Sequence, residues 1–369
     1  MNTPETRSVL IFGGAGFIGS NLAHHLLVAT DAKVHIFDNL TRDGAQHNLE
    51  WLKEIADGSN RLQVTVADIR DARTVEKAVA QATEIYHFAA QVAVTTSIAD
   101  PRLDFEVNLA GTFNILDAAR KCGRQPFLLF TSTNKVYGDL GLGTPVVTRT
   151  NYIYPDHPGV CESQRLDFHS PYGCSKGAAD QYVRDFARIY KLPTVVFRMS
   201  CIAGPRQFGT EDQGWVAHFL YSALQRKPVV IYGDGRQVRD VLSVKDLIQA
   251  FDAVWQHRAE TQGEIFNIGG GMENSVSLLE LIELVEEMTG QDLQYMLDER
   301  RLGDQLVYIT DYSKIQRATG WKPKTTVQHT LEMLWRFWEE NQNVIGRMEG
   351  RMTPTETFAV ATQLSGRAG

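Results

Sequence analysis

The stretch VLIFGGAGFIGSNLAHHLL, residues 9–27, decides how this chain is read. Residues 9–12 are a short apolar run of the kind that forms a buried parallel strand. The run breaks into glycines, after which Ile18, Leu22, Leu26 and Leu27 recur at helical spacing. The order is strand, glycine turn, helix. Gly13, Gly16 and Gly19 form GxxGxxG at that junction, where glycine permits a tight turn and lets a pyrophosphate approach the amides of a helix start. Asp38 follows at the end of the next apolar run, placed to take both ribose hydroxyls of a dinucleotide and to repel the extra phosphate of NADP. No arginine immediately follows it, since Arg42 is four residues on, so NAD is the preferred cofactor.

The same alternation continues outward from this unit. Strands are predicted over 33–37, 62–66 (ending at Asp68) and 84–88 (ending at Ala89-Ala90), with a helix over 75–82 between the last two. A helix over 108–121 puts Leu109, Phe113, Leu116 and Ala119 on one stripe; a strand over 127–131, a helix over 176–190 and a strand over 194–199 complete the series. Strand-helix repetition of this kind predicts an α/β fold, a Rossmann-type doubly wound parallel sheet. Residues 139–169, rich in Gly, Pro, Tyr and Asp without a clean period, are predicted as a lid-like surface loop. The chain then divides into an NAD-binding domain over 1–200, a smaller mixed substrate-binding lobe over 201–340 with some segments returning to the main body, and a C-terminal extension over 341–369. The helices of that lobe are predicted over 277–288 and 328–341, and periodicity is lost beyond 343.

Composition narrows the class. The chain has 369 residues, 43% hydrophobic and 22% charged, which excludes disordered and fibrous proteins. Lysine and arginine total 37 against 44 acids, a net charge of -7, which argues against a nucleic-acid scaffold. The four cysteines, Cys122, Cys161, Cys174 and Cys201, include no CxxC pair, as in a reduced protein with free thiols. No leader pattern or membrane-length apolar segment is present, so a cytoplasmic protein without membrane contact is expected.

The strongest catalytic signal is Tyr172-Gly-Cys-Ser-Lys176. Four residues along a helix bring the phenol and the ammonium to one face, where the cation favours the phenolate and can also hold the nicotinamide ribose. Thr133 supplies a hydroxyl just beyond the strand over 127–131, at the carboxyl end of the sheet. Together they suit removal of a proton from a substrate alcohol while hydride leaves to NAD. Asp68-Ile69 and residues 88–91 are candidates to line the cofactor crevice. Arg239, after YGDG, and Arg301, in RRLGD, suit a second diphosphate belonging to the substrate, because the guanidinium fork donates paired hydrogen bonds. Gln207, Gln213 and Trp215 are candidates to frame its sugar or base. His24, His25 and His87 read as packed or exposed, and no cluster has metal-ligand spacing, so no metal is expected.

GGAGFIGSN, DNL at 38–40, Asp68-Ile69, NLAGTFNILDAAR, the Thr133 region, Tyr172/Lys176, GPRQ and RDVLSVKDL together resemble the extended short-chain dehydrogenase/reductase family over residues 8–335. Within it, QVAVTTSIADP, STNKVYGDL, ESQRLDFHSPYGCSKGAADQY and RQFGTEDQGWV resemble the branch that inverts carbon 2 of CDP-linked hexoses. The resemblance implies cofactor contacts at Gly13, Gly16, Phe17, Ile18, Gly19, Asp38, Asn39, Asp68, Ile69, Ala89, Ala90, Gln91, Tyr172 and Lys176. It implies catalysis by Thr133, Tyr172 and Lys176, with substrate contacts at Thr133, Asn134, Gln207, Gln213, Trp215, Arg239 and Arg301. It further implies tightly retained NAD, a CDP-hexose of the paratose/tyvelose or glucose type, a homodimer or homotetramer, and a role in cell-surface polysaccharide assembly. Asn21 and the paired His24-His25 depart from the family's helix start. Epimerisation at carbon 4 of a UDP- or CDP-hexose uses the same catalytic residues and stays open. A 4,6-dehydratase would carry Asp-Glu where this chain has Asn134-Lys135. A non-catalytic NAD-binding regulator, the alternative of another class, would be expected to have lost Tyr172 or Lys176.

Overall fold

A computed structural model describes residues 7–301 and 304–349. Strands β1 (Ser8–Phe12), β2 (Lys33–Asp38), β3 (Leu62–Val66), β4 (Glu84–His87) and β5 (Phe127–Thr133) alternate with helices α1 (Phe17–Ala29), α2 (Ala45–Ala56), α3 (Ala72–Val79), α4 (Val94–Ala99), α5 (Pro101–Phe105) and α6 (Thr112–Lys121). The hairpin β6 (Val146–Val147) and β7 (Tyr152–Ile153) precedes α7 (Ser170–Tyr190) and β8 (Thr194–Met199). The second half contributes β9 (Cys201–Ala203), α8 (Trp215–Leu224), β10 (Val229–Tyr232), β11 (Val238–Ser243), α9 (Val244–Gln256), α10 (Arg258–Thr261) and β12 (Ile265–Ile268). It closes with β13 (Ser275–Ser277), α11 (Leu278–Thr289), β14 (Tyr295–Asp298), β15 (Val307–Tyr308), α12 (Ser313–Thr319) and α13 (Val327–Glu349).

Seven strands form one parallel sheet in the order β12-β8-β5-β4-β1-β2-β3. Side chains alternate across a strand, so β1 feeds both faces. Val9 and Ile11 pack with Leu22, Leu26 and Leu49 from α1 and α2, and with Leu247 and Phe251 from α9. Leu10 and Phe12 pack on the opposite face with Val75, Ile115, Val183 and Phe186. Burial on both faces explains why β1 reads as an unbroken apolar run. Chain order reverses between β1 and β4, which opens the crevice at their carboxyl ends where ligands bind in such sheets.

The smaller lobe has its own core of Val216, Leu220, Ile231, Leu281, Leu331, Leu334 and Phe337. Strand β12 leaves that lobe and pairs with β8 in the main sheet.

Two local expectations are corrected, and the loop over 139–169 gains detail. Helix α6 starts at Thr112 because residues Glu106–Gly111 form a π-helical turn, which rotates the register. Ile115 and Leu116 are therefore buried, while Phe113 of the expected stripe is 42% exposed. The segment over 139–169 carries the short hairpin of β6 and β7 and is fixed to the body at two points. Leu140 and Val160 are buried beside Tyr137 and Tyr308, and Val160 bridges to Thr310. Periodicity is also not lost at 343, because α13 runs to Glu349. The His47 ring bonds to Asn341 Oδ1 at 2.8 Å, and Ile345, one turn on, is 3% exposed in the lobe's core. The remainder of the expected extension, 350–369, lies outside the described residues.

Ile345→Ala is expected to destabilise the protein by about 2–4 kcal/mol, the cost of emptying a buried aliphatic site. A urea midpoint equal to that of the unaltered protein would remove α13 beyond residue 341 from the structural core.

Candidate active site

The turn after β1 is shaped by close approach. Gly13 has φ +79°, and a Cβ there would lie 2.6 Å from Ala89 N; at Gly19 a Cβ would lie 2.2 Å from Gly13 O. Only glycine fits either position. Helix α1 begins at Phe17 with Gly16 as its N-cap and no side chain capping it, so its first amides are left for an external acceptor. Phe17 and Ile18 are half-buried in this first turn. Asp38 is aimed by its neighbours: Ala15 N donates to Oδ2 at 3.0 Å and Leu40 N to Oδ1 at 2.8 Å. Burial raises its carboxyl, with those amides opposing. Bare helix amides, a cradle that a Cβ would fill and an anchored carboxylate at the second strand end fit a dinucleotide such as NAD.

The rest of the expected cofactor set divides. Ala89 and Ala90 are half-buried at the crevice. The Asp68 carboxylate is engaged by Arg70 at 2.9 Å and by Asn39 Nδ2 at 3.2 Å, and Arg70 is the main reason it is lowered to about 2. Ile69 packs into the core against Gly111, leaving only its main chain to a ligand. Gln91 donates from Nε2 to Ala93 O at 2.8 Å, and its amide N–H donates to Asn108 Oδ1 at 2.9 Å.

The catalytic candidates come together. Thr133 ends β5 and Tyr172 lies in the first turn of α7, where the Thr133 hydroxyl is the group that most opposes the effect of burial on the phenol. Thr133 Oγ1 accepts from Lys135 N at 3.2 Å, a local turn bond. Asn134 is buried beside it, its Oδ1 accepting from Thr133 Oγ1 at 3.4 Å. Lys176 is 3% exposed; its ammonium donates to Thr131 O at 2.7 Å and lies 4.2 Å from the centre of the Phe130 ring. Here burial outweighs the simple expectation that the lysine favours a phenolate. Burial pushes the phenol up to about 12 and pulls the ammonium down to about 7, driving both groups toward neutrality.

On the substrate side, Arg239 is buried and donates to Asp304 Oδ1 and Gln305 O, both at 2.6 Å. Arg301 donates to Asp212 at 2.9 Å and lies 4.0 Å from the centre of the Tyr232 ring. Each candidate phosphate ligand is thus paired with a carboxylate. Gln207 donates to Ile202 O, and Trp215 donates from Nε1 to Cys201 Sγ at 3.4 Å. Gln213 accepts from Arg42 at 2.7 Å across the two halves of the chain. A cavity of about 500 Å³ is lined by Leu140, Tyr154, His169, Arg300, Arg301 and Asp304 among others. Thr133 and Tyr172 are not among its walls.

Sequence reasoning missed Arg42, Lys135 and Asn108. Lys135 Nζ donates to the same Asp304 oxygen as Arg239, at 2.9 Å, and together they hold that carboxyl well below its usual range against the effect of burial. Asn108 Nδ2 donates to Gln91 O, Asp104 Oδ1 and Ser175 Oγ. Its place in NLAGT was legible as a motif, but its partners were not. Asn21, the unexplained departure, donates to Pro205 O at 2.9 Å; His24 stacks on Trp51 and His25 pairs with Asp252. Among the described residues, no group of three or more His, Cys, Asp or Glu is set to hold a metal ion, and no helix is long and apolar enough to cross a membrane.

A parallel Rossmann sheet with Thr, Tyr and Lys gathered at its carboxyl edge defines an NAD-dependent enzyme of the extended short-chain dehydrogenase/reductase class. Residues 10–334 match the family described as GDP-mannose 4,6 dehydratase, and the chain belongs to that family. It is 43% identical over 335 residues to CDP-paratose 2-epimerase of Salmonella typhi, covering 89% of this chain and 98% of that one. It is 33% identical over 365 residues to dTDP-glucose 4,6-dehydratase of Neisseria gonorrhoeae, covering 93% and 98%. The solved UDP-glucose 4-epimerase of Thermus thermophilus in complex with NAD superposes with a TM-score of 0.74 at 31% identity, covering 89% of this chain and 98% of that one.

Gly19→Ala is expected to cost the purified protein most of its bound nucleotide, read by chromatography after denaturation; retention at the unaltered level would move the cofactor off this turn. The lowered Lys176 makes a second expectation. Its value of about 7 against 10.5 means that the folded protein, stripped of nucleotide, binds fewer protons than the unfolded chain between those pH values. Its contribution to stability therefore rises with pH across that window. The urea midpoint should climb from about pH 7 to about pH 9.5, and Lys176→Met should flatten the climb; equal slopes would place Lys176 in an ordinary environment.

Proposed function

We propose that this chain is a nucleotide-sugar epimerase that inverts carbon 2 of a CDP-linked hexose, of the paratose/tyvelose or glucose type, through a transient 2-keto sugar. The observation that carries the reading is the gathering of Thr133, at the carboxyl end of β5, with Tyr172 and a buried Lys176 of α7, whose ammonium donates to Thr131 O of the same strand. NAD supplies a hydride acceptor that later returns the hydride. Gly13, Gly16 and Gly19 with the first amides of α1 hold its pyrophosphate, and Asp38 holds its adenosine ribose. Tyr172 takes the proton of the reacting hydroxyl, Thr133 steadies that oxygen, and Lys176 holds the nicotinamide ribose and favours the phenolate. Arg239 and Arg301 grip the substrate diphosphate while the sugar turns its other face. Tyr172 then gives the proton back.

Dehydration is disfavoured on an observation of this site. The positions after Thr133 carry the Asn134 amide and the Lys135 ammonium, the latter tied to Asp304, and neither can act as the carboxylate acid or base that elimination calls for. The choice of carbon 2 rests on the 43% identity to a 2-epimerase over nearly its whole length. A homodimer or homotetramer is supported by exposed apolar groups on adjacent helices: Phe113 of α6 and Tyr182 of α7 touch edge to face at 5.7 Å while both remain over 40% exposed. The product would serve the assembly of a cell-surface polysaccharide.

Purified protein incubated in deuterated water with CDP-, UDP- and GDP-hexoses, followed by mass spectrometry and NMR, tests the reading. Inversion at carbon 2 of a CDP-sugar without deuterium uptake is expected, and Tyr172→Phe should slow it by about 10²–10⁴-fold. Inversion at carbon 4 would overturn the regiochemistry, and solvent deuterium at the inverted carbon would replace internal hydride return by proton transfer.

A further inference from the structure

Helix α5 is a single turn packed near α7, and it carries a carboxylate that the mechanism above leaves without a task. Asp104 has no exposed surface. Its Oδ1 accepts from Asn108 Nδ2 at 2.9 Å, while Oδ2 is buried with no hydrogen-bond partner. A buried carboxylate half-satisfied in this way is costly unless a positive charge nearby compensates it. The contacts lead toward one. Asn108 Nδ2 also reaches Ser175 Oγ at 3.2 Å, Ser175 directly precedes Lys176, and its hydroxyl donates to Tyr172 O at 3.2 Å. Asp104 is thus connected to the turn of α7 that spaces the two catalytic side chains.

The surroundings of Lys176 show the complementary lack. Its ammonium bonds to the Thr131 carbonyl and faces the Phe130 ring, and no carboxylate touches it among the described residues. Asp180, one turn further along α7, is the first charge that favours the ammonium and Asp104 the second, but Asp180 is already committed to Arg198 of β8 through two bonds of 2.8 and 2.9 Å. His87 of β4, buried nearby, is pushed well below its ordinary range by burial and then by Lys176, and so adds no charge. Tyr172 faces Thr133 and, at longer range, Arg42 and Asp104.

We propose that Asp104 is a counter-charge of Lys176 that, unlike Asp180, is not paired with another cation, a positioning residue that helps to keep the ammonium protonated and, through Asn108 and Ser175, sets the Tyr172–Lys176 turn. The proposal rests on Tyr172 and Lys176 being the catalytic pair. The sign follows from Coulomb attraction. A negative charge favours the ammonium of Lys176 and disfavours the phenolate of Tyr172, so its removal lets both groups lose their protons at lower pH. Both influences of Asp104 run in that direction.

Asp104→Asn keeps an acceptor for Asn108 and removes the charge; Asp104→Ser does the same with a smaller group should the amide variant not fold. Two readouts are taken on the full-length protein. In protein stripped of nucleotide, the pH window over which Lys176 adds stability should begin about one pH unit lower than in the unaltered chain. In the loaded enzyme, the alkaline limb of turnover should move down by about one unit, a roughly tenfold loss one unit above the original limb. Asp104→Glu should restore both in part. A folded Asn or Ser variant with an unmoved stability window and an unmoved alkaline limb overturns the counter-charge. Full turnover of Lys176→Met would overturn the catalytic reading instead, and the stability window, which needs no turnover, would still decide the role of Asp104.

Discussion

The contact on which the rest of this molecule depends is the approach of the Gly13–Gly19 turn to the end of β4. Hypothetical Cβ atoms at Gly13 and Gly19 would come within 2.6 Å and 2.2 Å of backbone. No side chain can yield there, because the obstructing atoms are peptide nitrogen and oxygen. The turn must therefore be glycine for α1 to start directly on the sheet. Only with α1 in that place do its first amides look into the crevice between β1 and β4. Asp38 is tied into the same turn by the Ala15 amide, so the carboxylate and the glycine turn are one mechanical unit.

That unit was legible because its determinants are local. Strand, turn and helix lie within residues 9–27, and each successive strand announced itself by an apolar run ending in a small or acidic residue. The observed strands agree with the reading at β2, β3, β5 and β8 to within two residues. Where the reading failed, tertiary contact had overridden periodicity. The π turn over Glu106–Gly111 shifted Phe113 off the buried stripe. The hydrogen bond between His47 and Asn341 couples positions 294 residues apart and extends α13 beyond where its pattern weakens.

The site was legible in its parts and opaque in its charges. Tyr172, Lys176 and Thr133 were readable because helical spacing and strand ends place them. The carboxylates that govern the cations were not: Asp304 meets Lys135 across 169 residues and Arg239 across 65, and Asp104 meets the catalytic turn only through Asn108 and Ser175. Protonation followed the same rule. Adjacent residues suggested a phenolate beside an ammonium, whereas burial, which belongs to the whole fold, pushes both groups the other way. A buried amine near 7 makes the surrounding charges decisive at neutral pH, since a modest change in field moves it between its two forms.

The second half of the chain is tied to the elements beside the glycine turn as well as to its own core. Asn21 of α1 donates to Pro205 O, Asn48 of α2 donates to Arg206 O at 3.4 Å, and Arg42 donates to Gln213. All three join the dinucleotide half to the segment over 205–213, and Phe208 fills the space over Gly44. A dehydrogenase that exchanges its cofactor each turn needs a cleft that opens freely. An epimerase needs the opposite, because hydride removed from the sugar must return to the same molecule, and a cofactor lost in between strands a ketone. Side chains from α1, α2 and the loop before α2 that bond across to residues 205–213 are the arrangement such retention calls for.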